Sequence, residues 1–294
     1  MPAAAAVALA TCAEHAGLDD EGRLLLAALR ERGVVAEPVV WDAEPDGGWE
    51  RFGLVVVRST WDYTFALERF LAWTRAIAPR LLNPPDTIAW SADKRYLLDL
   101  AAAGLPVIAT ELLAPDAPFA PPAGRFVVKP AVSAGSRGAA VFDAARHDAA
   151  RAHVAALQGE GRDVLVQPYL DAVDGEEGET ALIFIDGELS HAMRKGPLLA
   201  LDRPALRAGW APETMSRCSP TDDVAALGRR AHALVAERFG RPLYARVDVL
   251  RDAAGAPAVL ELELIEPSLF LDFVPGAAEA LAGAIVGRLE ASGR

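Results

Sequence analysis

The chain has 294 residues, with 29 Lys and Arg against 41 Asp and Glu, a net charge of −12. At 52% hydrophobic and 24% charged it is a folding chain, long enough for two or three lobes, and not a disordered one. Its acidity excludes broad binding to nucleic acid or an anionic membrane, which need basic surface, but leaves room for one phosphate ligand held by a few local cations.

In chain order, residues 4–10 predict a buried apolar strand. Leu9-Ala10-Thr11-Cys12 looks slightly like a lipoprotein signal, but no positive residue precedes it, and a strand is the better reading. No run approaches the length of a membrane helix. Cys12 and Cys218 lie far apart without metal or redox spacing, so a reduced cytoplasmic protein is expected. A helix over 21–32 places Leu24, Leu25, Ala28 and Leu29 inward and stops at Gly33. Strands follow over 34–41 and 52–57, the second apolar throughout, as strands buried on both faces are. A helix over 64–78 and a strand over 81–83 complete an α/β lobe over 1–87. Ligands of such lobes bind beyond the carboxyl ends of strands, which puts Arg58-Ser59-Thr60-Trp61-Asp62-Tyr63 on a ligand edge.

Pro84-Pro85 ends that lobe. Ser91 is expected to cap a helix running to 103, with Lys94 in its first turn. A Pro-rich loop spans 115–122. Strands then dominate, over 125–129, 139–143, 164–169, 180–185, 189–194, 243–250 and 259–265. Helices fall over 147–157, 222–239 and 277–289. Asp186-Gly187 is a two-residue hairpin turn. The expected fold class is an α/β lobe followed by α+β lobes dominated by hairpins.

Four groups of residues carry chemistry. Arg246-Val247-Asp248 and Glu261-Leu262-Glu263 lie on consecutive strands, and alternation puts Arg246, Asp248, Glu261 and Glu263 on one face. A symmetric hairpin sets Asp248 opposite Glu261 and Arg246 opposite Glu263. Three carboxylates on one patch repel each other unless a cation joins them, and their oxygens suit Mg²⁺. The opposite face (Ala245, Val247, Val249, Leu260, Leu262, Leu264) is apolar, so an ordinary solvated polar face is the competing reading. Second, Lys129 ends a strand beside the small-residue loop Ser133-Ala134-Gly135-Ser136-Arg137-Gly138, whose backbone N–H groups could close on phosphate; a plain glycine-rich turn competes. Third, Gln167-Pro168-Tyr169-Leu170 leaves a strand and could offer its backbone to an adenine edge, with Glu179 beyond an acidic loop. Fourth, His191, Arg194 and Lys195 follow the hairpin turn. No zinc cluster, serine elbow or reactive cysteine is present.

In this order the pieces resemble the ATP-grasp superfamily of ATP-dependent carboxylate ligases, over the whole chain. The resemblance implies an ATP-grasp fold: a Rossmann-like pre-ATP-grasp lobe (1–87), a central lobe with the phosphate loop (88–170) and a C-terminal lobe with the metal site (171–294). It implies that Lys94 and Lys129 contact the α- and β-phosphates, and that Ser133, Gly135, Ser136, Arg137 and Gly138 form the phosphate loop. Gln167, Pro168, Tyr169 and Leu170 would be the adenine hinge, where relatives usually begin with Glu, and Glu179 the ribose carboxylate. Asp248, Glu261 and Glu263 would hold two Mg²⁺ ions; relatives commonly carry Asn in the third place. Arg246 would steady the transferring phosphoryl group, and Arg194 or Lys195 would reach the γ-phosphate.

A narrower similarity rests on the Arg58–Tyr63 stretch, on His191-Ala192-Met193-Arg194-Lys195-Gly196-Pro197, and on Glu261-Leu262-Glu263-Leu264-Ile265-Glu266-Pro267-Ser268. These resemble the actinobacterial cyclo-ligase group that includes D-cycloserine synthetase. It implies an antibiotic-biosynthesis ligase acting on a small amino-acid-like substrate, with Arg58, Ser59, Thr60, Trp61, Asp62, Glu266 and Ser268 at the acceptor site. His191 and Glu266 are candidates for a base. The segment 196–220, with Trp210, is expected to cover the site, and a homodimer is expected. A two-substrate carboxylate–amine ligase, an ATP-grasp phosphotransferase and a non-catalytic nucleotide sensor are the alternatives.

Overall fold

The computed structural model describes residues 6–43, 48–197, 199, 201 and 214–293. The chain runs β1 (Ala6–Thr11), α1 (Asp20–Glu31), β2 (Val35–Val40), β3 (Phe52–Val57), α2 (Leu67–Ala76), β4 (Leu81–Leu82), α3 (Pro85–Ser91), α4 (Tyr96–Ala102), β5 (Glu111–Leu113), β6 (Phe126–Pro130), β7 (Ala140–Phe142), α5 (His147–Gly159) and β8 (Val164–Pro168). It continues through β9 (Glu179–Ile185), β10 (Glu188–Lys195), β11 (Met215–Cys218), α6 (Asp222–Phe239), β12 (Tyr244–Arg251), β13 (Pro257–Glu263) and α7 (Ala277–Ala291).

The strands form three sheets, each drawn from one stretch of sequence. The first is parallel, in the order β2-β1-β3-β4. The second has the order β5-β8-β6-β7 and the third β11-β10-β9-β12-β13, both antiparallel. The apolar run of β3 is the expected doubly buried strand: Val55, Val56 and Val57 have no exposed surface. Asp186 and Gly187 adopt φ of 48° and 99° and join Ile185 to Glu188 directly, which is the two-residue turn their chemistry favours.

The first and last parts of the chain share a core. Leu25 and Leu29 of α1 pack with Leu281 and Ile285 of α7 and with Ile183 and Tyr244 of the third sheet. Leu24, expected inward, is instead exposed, because the buried positions of α1 run Gly22, Leu25, Ala28 and Leu29, the three-to-four spacing of one helical face.

Around residues 84–95 the structure departs from expectation. Pro85 does not merely end a lobe; it opens α3, where its missing N–H costs nothing. Ser91 therefore ends a helix instead of capping one, and its Oγ accepts a hydrogen bond from Leu264 N at 3.3 Å. Lys94 lies in the break between α3 and α4, not in a helical first turn, and its backbone N–H donates to Ala131 O at 2.9 Å.

Asn83 locks this linker to the third sheet. Its side chain donates to Tyr244 O (3.0 Å) and Leu264 O (2.8 Å) and accepts from Leu243 N (2.6 Å), all buried. Asn83→Ala strands three buried main-chain groups. It is expected to cost about 3 kcal/mol in denaturant unfolding, given about 1–3 kcal/mol per unsatisfied group. A loss below about 1 kcal/mol would show that the lock carries no stability.

Candidate active site

A cavity of about 550 Å³ is lined by residues of the second and third sheets and the segments beside them, with Trp61 and Tyr63 from the stretch after β3. Its two ends differ. Leu170, Val173, Leu250 and Leu260 make one end apolar. The other gathers Lys94, Lys129, Lys195 and Arg246 with Glu179, Glu261, Glu263 and Glu266.

The β12–β13 hairpin has the expected register, with Asp248 opposite Glu261 and Arg246 opposite Glu263. Ligand oxygens of Asp248, Glu261 and Glu263 all lie within 4.8 Å of one another. Past Asp248 the register shifts, so that Val249 pairs with Val259 and Leu260 is left over as a bulge. Leu260 consequently leaves the apolar rear face to which alternation assigned it and lines the cavity.

The charges are tightly paired. The Arg246 guanidinium grips Asp248, with Nε 2.9 Å from Oδ1 and Nη2 2.9 Å from Oδ2, and its Nη2 also donates to Glu263 at 2.7 Å. Lys94 Nζ lies 3.1 Å from Glu261 and donates to Ser133 O at 2.7 Å, tying the small-residue loop to the carboxylate strand. Lys195 donates to Glu179 at 2.6 Å and lies 3.4 Å from Asp248.

Burial alone would raise Glu261, but Lys94 and then Lys129 outweigh it and hold the group at about 2. Glu263 goes the other way: burial, with Glu261 and Asp248 beside it, pushes it up to about 7 despite Arg246. Glu179 also rises to about 7 by burial, against Lys195. Burial pushes Lys129 below its ordinary value, whereas at Lys94 the surrounding glutamates win over burial and raise it. This donor set is short of positive charge, and a hard divalent cation between the three carboxylates fits it.

Most of the nucleotide-type residues read from sequence meet here. Lys94, Lys129, Ser133, Gly135, Ser136, Gln167, Pro168, Tyr169, Leu170 and Glu179 line the cavity, as do Lys195, Arg246, Glu261 and Glu263. Asp248 is buried behind them, held by Arg246. The Gln167 side chain bonds Thr110 Oγ1 at 2.9 Å, so only the main chain after it is free to read a ligand.

Other candidates fall outside the lining. Arg194 is exposed, because alternation on β10 turns it away when Lys195 turns in. Arg137 reaches Trp61 O (2.6 Å) and Thr64 Oγ1 (2.8 Å) and stacks on Phe65, joining the small-residue loop to the first lobe. Gly138 passes against Pro130 behind the loop. Arg58, Ser59 and Thr60 are buried, with Arg58 donating to Pro267 O at 3.1 Å. Asp62 accepts from Trp41 Nε1 at 2.9 Å. Of that edge, Trp61 and Tyr63 reach the cavity, as do Glu266 and Ser268 just beyond the end of β13. His191 faces Leu269 O at 2.8 Å and is a brace for that segment, not a lining group. Trp210 and residues 202–213 of the expected cover lie outside the described residues; Gly196, Leu199 and Met215 line the cavity.

Sequence reasoning missed Tyr96, whose hydroxyl accepts from Leu262 N at 2.9 Å while its ring borders the cavity. Its helical spacing marks it only as core. It also missed Gly178, at φ 55°, where an added Cβ would sit 2.9 Å from Lys195 O. Gly178→Ala combines a strained backbone with a main-chain collision at the Glu179–Lys195 pair. It is expected to cut turnover about ten-fold or more while costing about 1–3 kcal/mol of stability, as measured by steady-state kinetics beside a thermal melt. Unchanged kinetics would show that the pair tolerates displacement.

A family model described as the N-terminal domain of D-cycloserine synthetase DcsG matches residues 7–83. The cycloserine biosynthesis protein DcsG of Streptomyces lavendulae is 38% identical over 97% of this chain and 99% of its own length. The crystal structure of D-cycloserine synthetase DcsG superposes with a TM-score of 0.86 at 36% identity, covering 96% of this chain and 99% of that one. The ATP-grasp ligase PsnB, complexed with a minimal precursor, Mg and ADP, gives a TM-score of 0.62 at 21% identity over 96% and 97% of the two chains, which is a likeness of fold.

Proposed function

We propose that this chain, which belongs to the D-cycloserine synthetase family of ATP-grasp ligases, activates a substrate carboxylate as an acyl phosphate and lets a nitrogen of the same molecule close the ring. The chain is an ATP-dependent C–N ligase by its family; the acyl phosphate and the intramolecular attack are the proposal. The observation that carries it is that one cavity brings together an apolar end, four cations and three clustered carboxylates.

The apolar end would take the adenine against Leu170, Leu250 and Leu260, with the main chain of 168–170 on its polar edge. Lys94, Lys129 and the Ser133–Ser136 loop would hold the phosphates. Asp248, Glu261 and Glu263 would hold two Mg²⁺ ions, which would supply charge neutralisation for phosphoryl transfer. Arg246, fixed by two carboxylates and by Ser268 O, would put its guanidinium charge beside the negative charge that develops on the transferred group. A substrate carboxylate oxygen attacks the γ-phosphorus and ADP departs. The nitrogen then attacks the acyl carbon, a C–N bond forms, and the C–O bond to phosphate breaks. Lys195 would take the γ-phosphate role that the sequence left open between it and Arg194; the support for this is that Lys195, and not Arg194, lines the cavity. Among the described residues no helix is long and apolar enough to cross a membrane.

The test is product analysis with ATP and an aminooxy- or ureidooxy-serine. ADP, phosphate and a cyclised product are expected. AMP and pyrophosphate would overturn the reading, and a strict requirement for a separate amine would overturn ring closure alone.

A further inference from the structure

Glu266 is the cavity carboxylate that the phosphate chemistry does not use. It is 9% exposed and lines the wall together with Trp61 and Tyr63. Its surroundings set it apart. Glu179, Asp248, Glu261 and Glu263 each have a Lys or Arg nitrogen within 4.0 Å. Among the described residues Glu266 has no such partner. A buried carboxylate without a cation is costly to keep ionised.

The segment cannot relax to give it one. Trp61 Nε1 donates to Glu266 O at 3.4 Å and Arg58 to Pro267 O at 3.1 Å. Arg246 donates to Ser268 O at 3.3 Å, and Leu269 N donates to the Glu21 carboxylate at 2.8 Å. His191 meets Leu269 O on the other side. Five side chains thus fix the main chain of 266–269 and leave the Glu266 carboxylate on the cavity wall, where Lys94 and Arg246 act on it only from beyond ion-pair distance.

We propose that Glu266 is the specificity residue of the acceptor end, binding the ammonium group of an α-amino-acid substrate whose carboxylate the enzyme phosphorylates. This rests on the ligase reading of the same cavity. The other carboxylates of the cavity are already paired to Lys or Arg, so an α-ammonium finds its unpaired counter-charge at Glu266 and the substrate enters in one orientation. Its own carboxylate, one carbon away, is then directed at the Arg246 side. Burial, with Glu263 next, raises Glu266 to about 8; an entering ammonium supplies the charge that brings it back down.

The experiment compares O-amino-D-serine with 3-(aminooxy)propanoic acid, which is the same compound without the ammonium, following ADP release by wild type, Glu266→Gln and Glu266→Asp. Wild type is expected to prefer the amino acid about hundred-fold in kcat/KM. Glu266→Gln should raise KM for the amino acid about ten- to hundred-fold, the scale of a charge-assisted hydrogen bond. KM for ATP and for the deamino compound should stay unchanged, and Glu266→Asp should restore part of the preference. A Gln variant that keeps the preference, or loses kcat equally on both compounds as a base would, overturns the proposal. Wild type that releases AMP, or no ADP with either compound, overturns the ligase reading itself, and this inference with it.

Discussion

Lys129→Met is expected to weaken ATP binding about ten- to hundred-fold in calorimetry while leaving the free protein as stable as before, or more so. Both halves follow from its burial. The ammonium sits near the end of β6 in a buried wall that already holds Lys94, and burial lowers its pKa. A lysine whose folded pKa lies below its unfolded one binds its proton more tightly in the unfolded chain. Below both values the charged group therefore works against folding, and that cost fades as pH rises through the folded pKa. Methionine removes the cost and keeps the stem. What it also removes is a charge-assisted contact to phosphate, worth about 1.5–3 kcal/mol. A variant that melts markedly lower, with ATP affinity intact, would assign Lys129 to stability and leave the phosphate reading without support.

Glu261→Gln is expected to lower turnover about a hundred- to thousand-fold, the scale of losing one preorganised charge at a phosphoryl-transfer site. The shape is preserved, so the loss is electrostatic. Glu261 is firmly ionised, held at about 2 by Lys94 and Lys129 against its burial. As a neutral amide it offers one weak oxygen to Mg²⁺ and frees Lys94 from its 3.1 Å ion pair. The apparent Mg²⁺ requirement should rise with the loss of turnover, and ATP affinity measured without metal should change little. The sign for the free protein is opposite to that for Lys129. A carboxylate held below its unfolded pKa stabilises the fold above that unfolded value and loses the contribution as pH falls through the folded one. The variant should therefore melt lower than wild type at neutral pH. Full activity at limiting Mg²⁺ would return the cluster to an ordinary polar face.

The cations and carboxylates of the site were readable in the sequence because a β-strand has a strict period of two. Once β12 and β13 are taken as a hairpin, alternation alone puts Arg246, Asp248, Glu261 and Glu263 on one face and fixes their pairing. The same reasoning named the Asp186-Gly187 turn, where side-chain chemistry and backbone conformation are local properties. It also found the lysine beside the small-residue loop.

Tertiary structure decided everything that depends on where a segment goes after its local pattern ends. The bulge at Leu260 inverts one position of β13, and nothing in an apolar run announces it. Arg58 and Asp62 look like ligand groups at the end of a parallel strand, yet they turn to Pro267 and Trp41, partners far along the chain or across the first lobe. The choice of Lys195 over Arg194 needs the side of the sheet on which the cavity lies. Glu266 is one glutamate among many until five distant side chains are seen to fix its segment. Local sequence sets conformation and alternation, because those arise from neighbouring residues. Which buried charge has a partner depends on contacts between separate elements, such as Lys94 with Glu261, and only the folded chain brings those together.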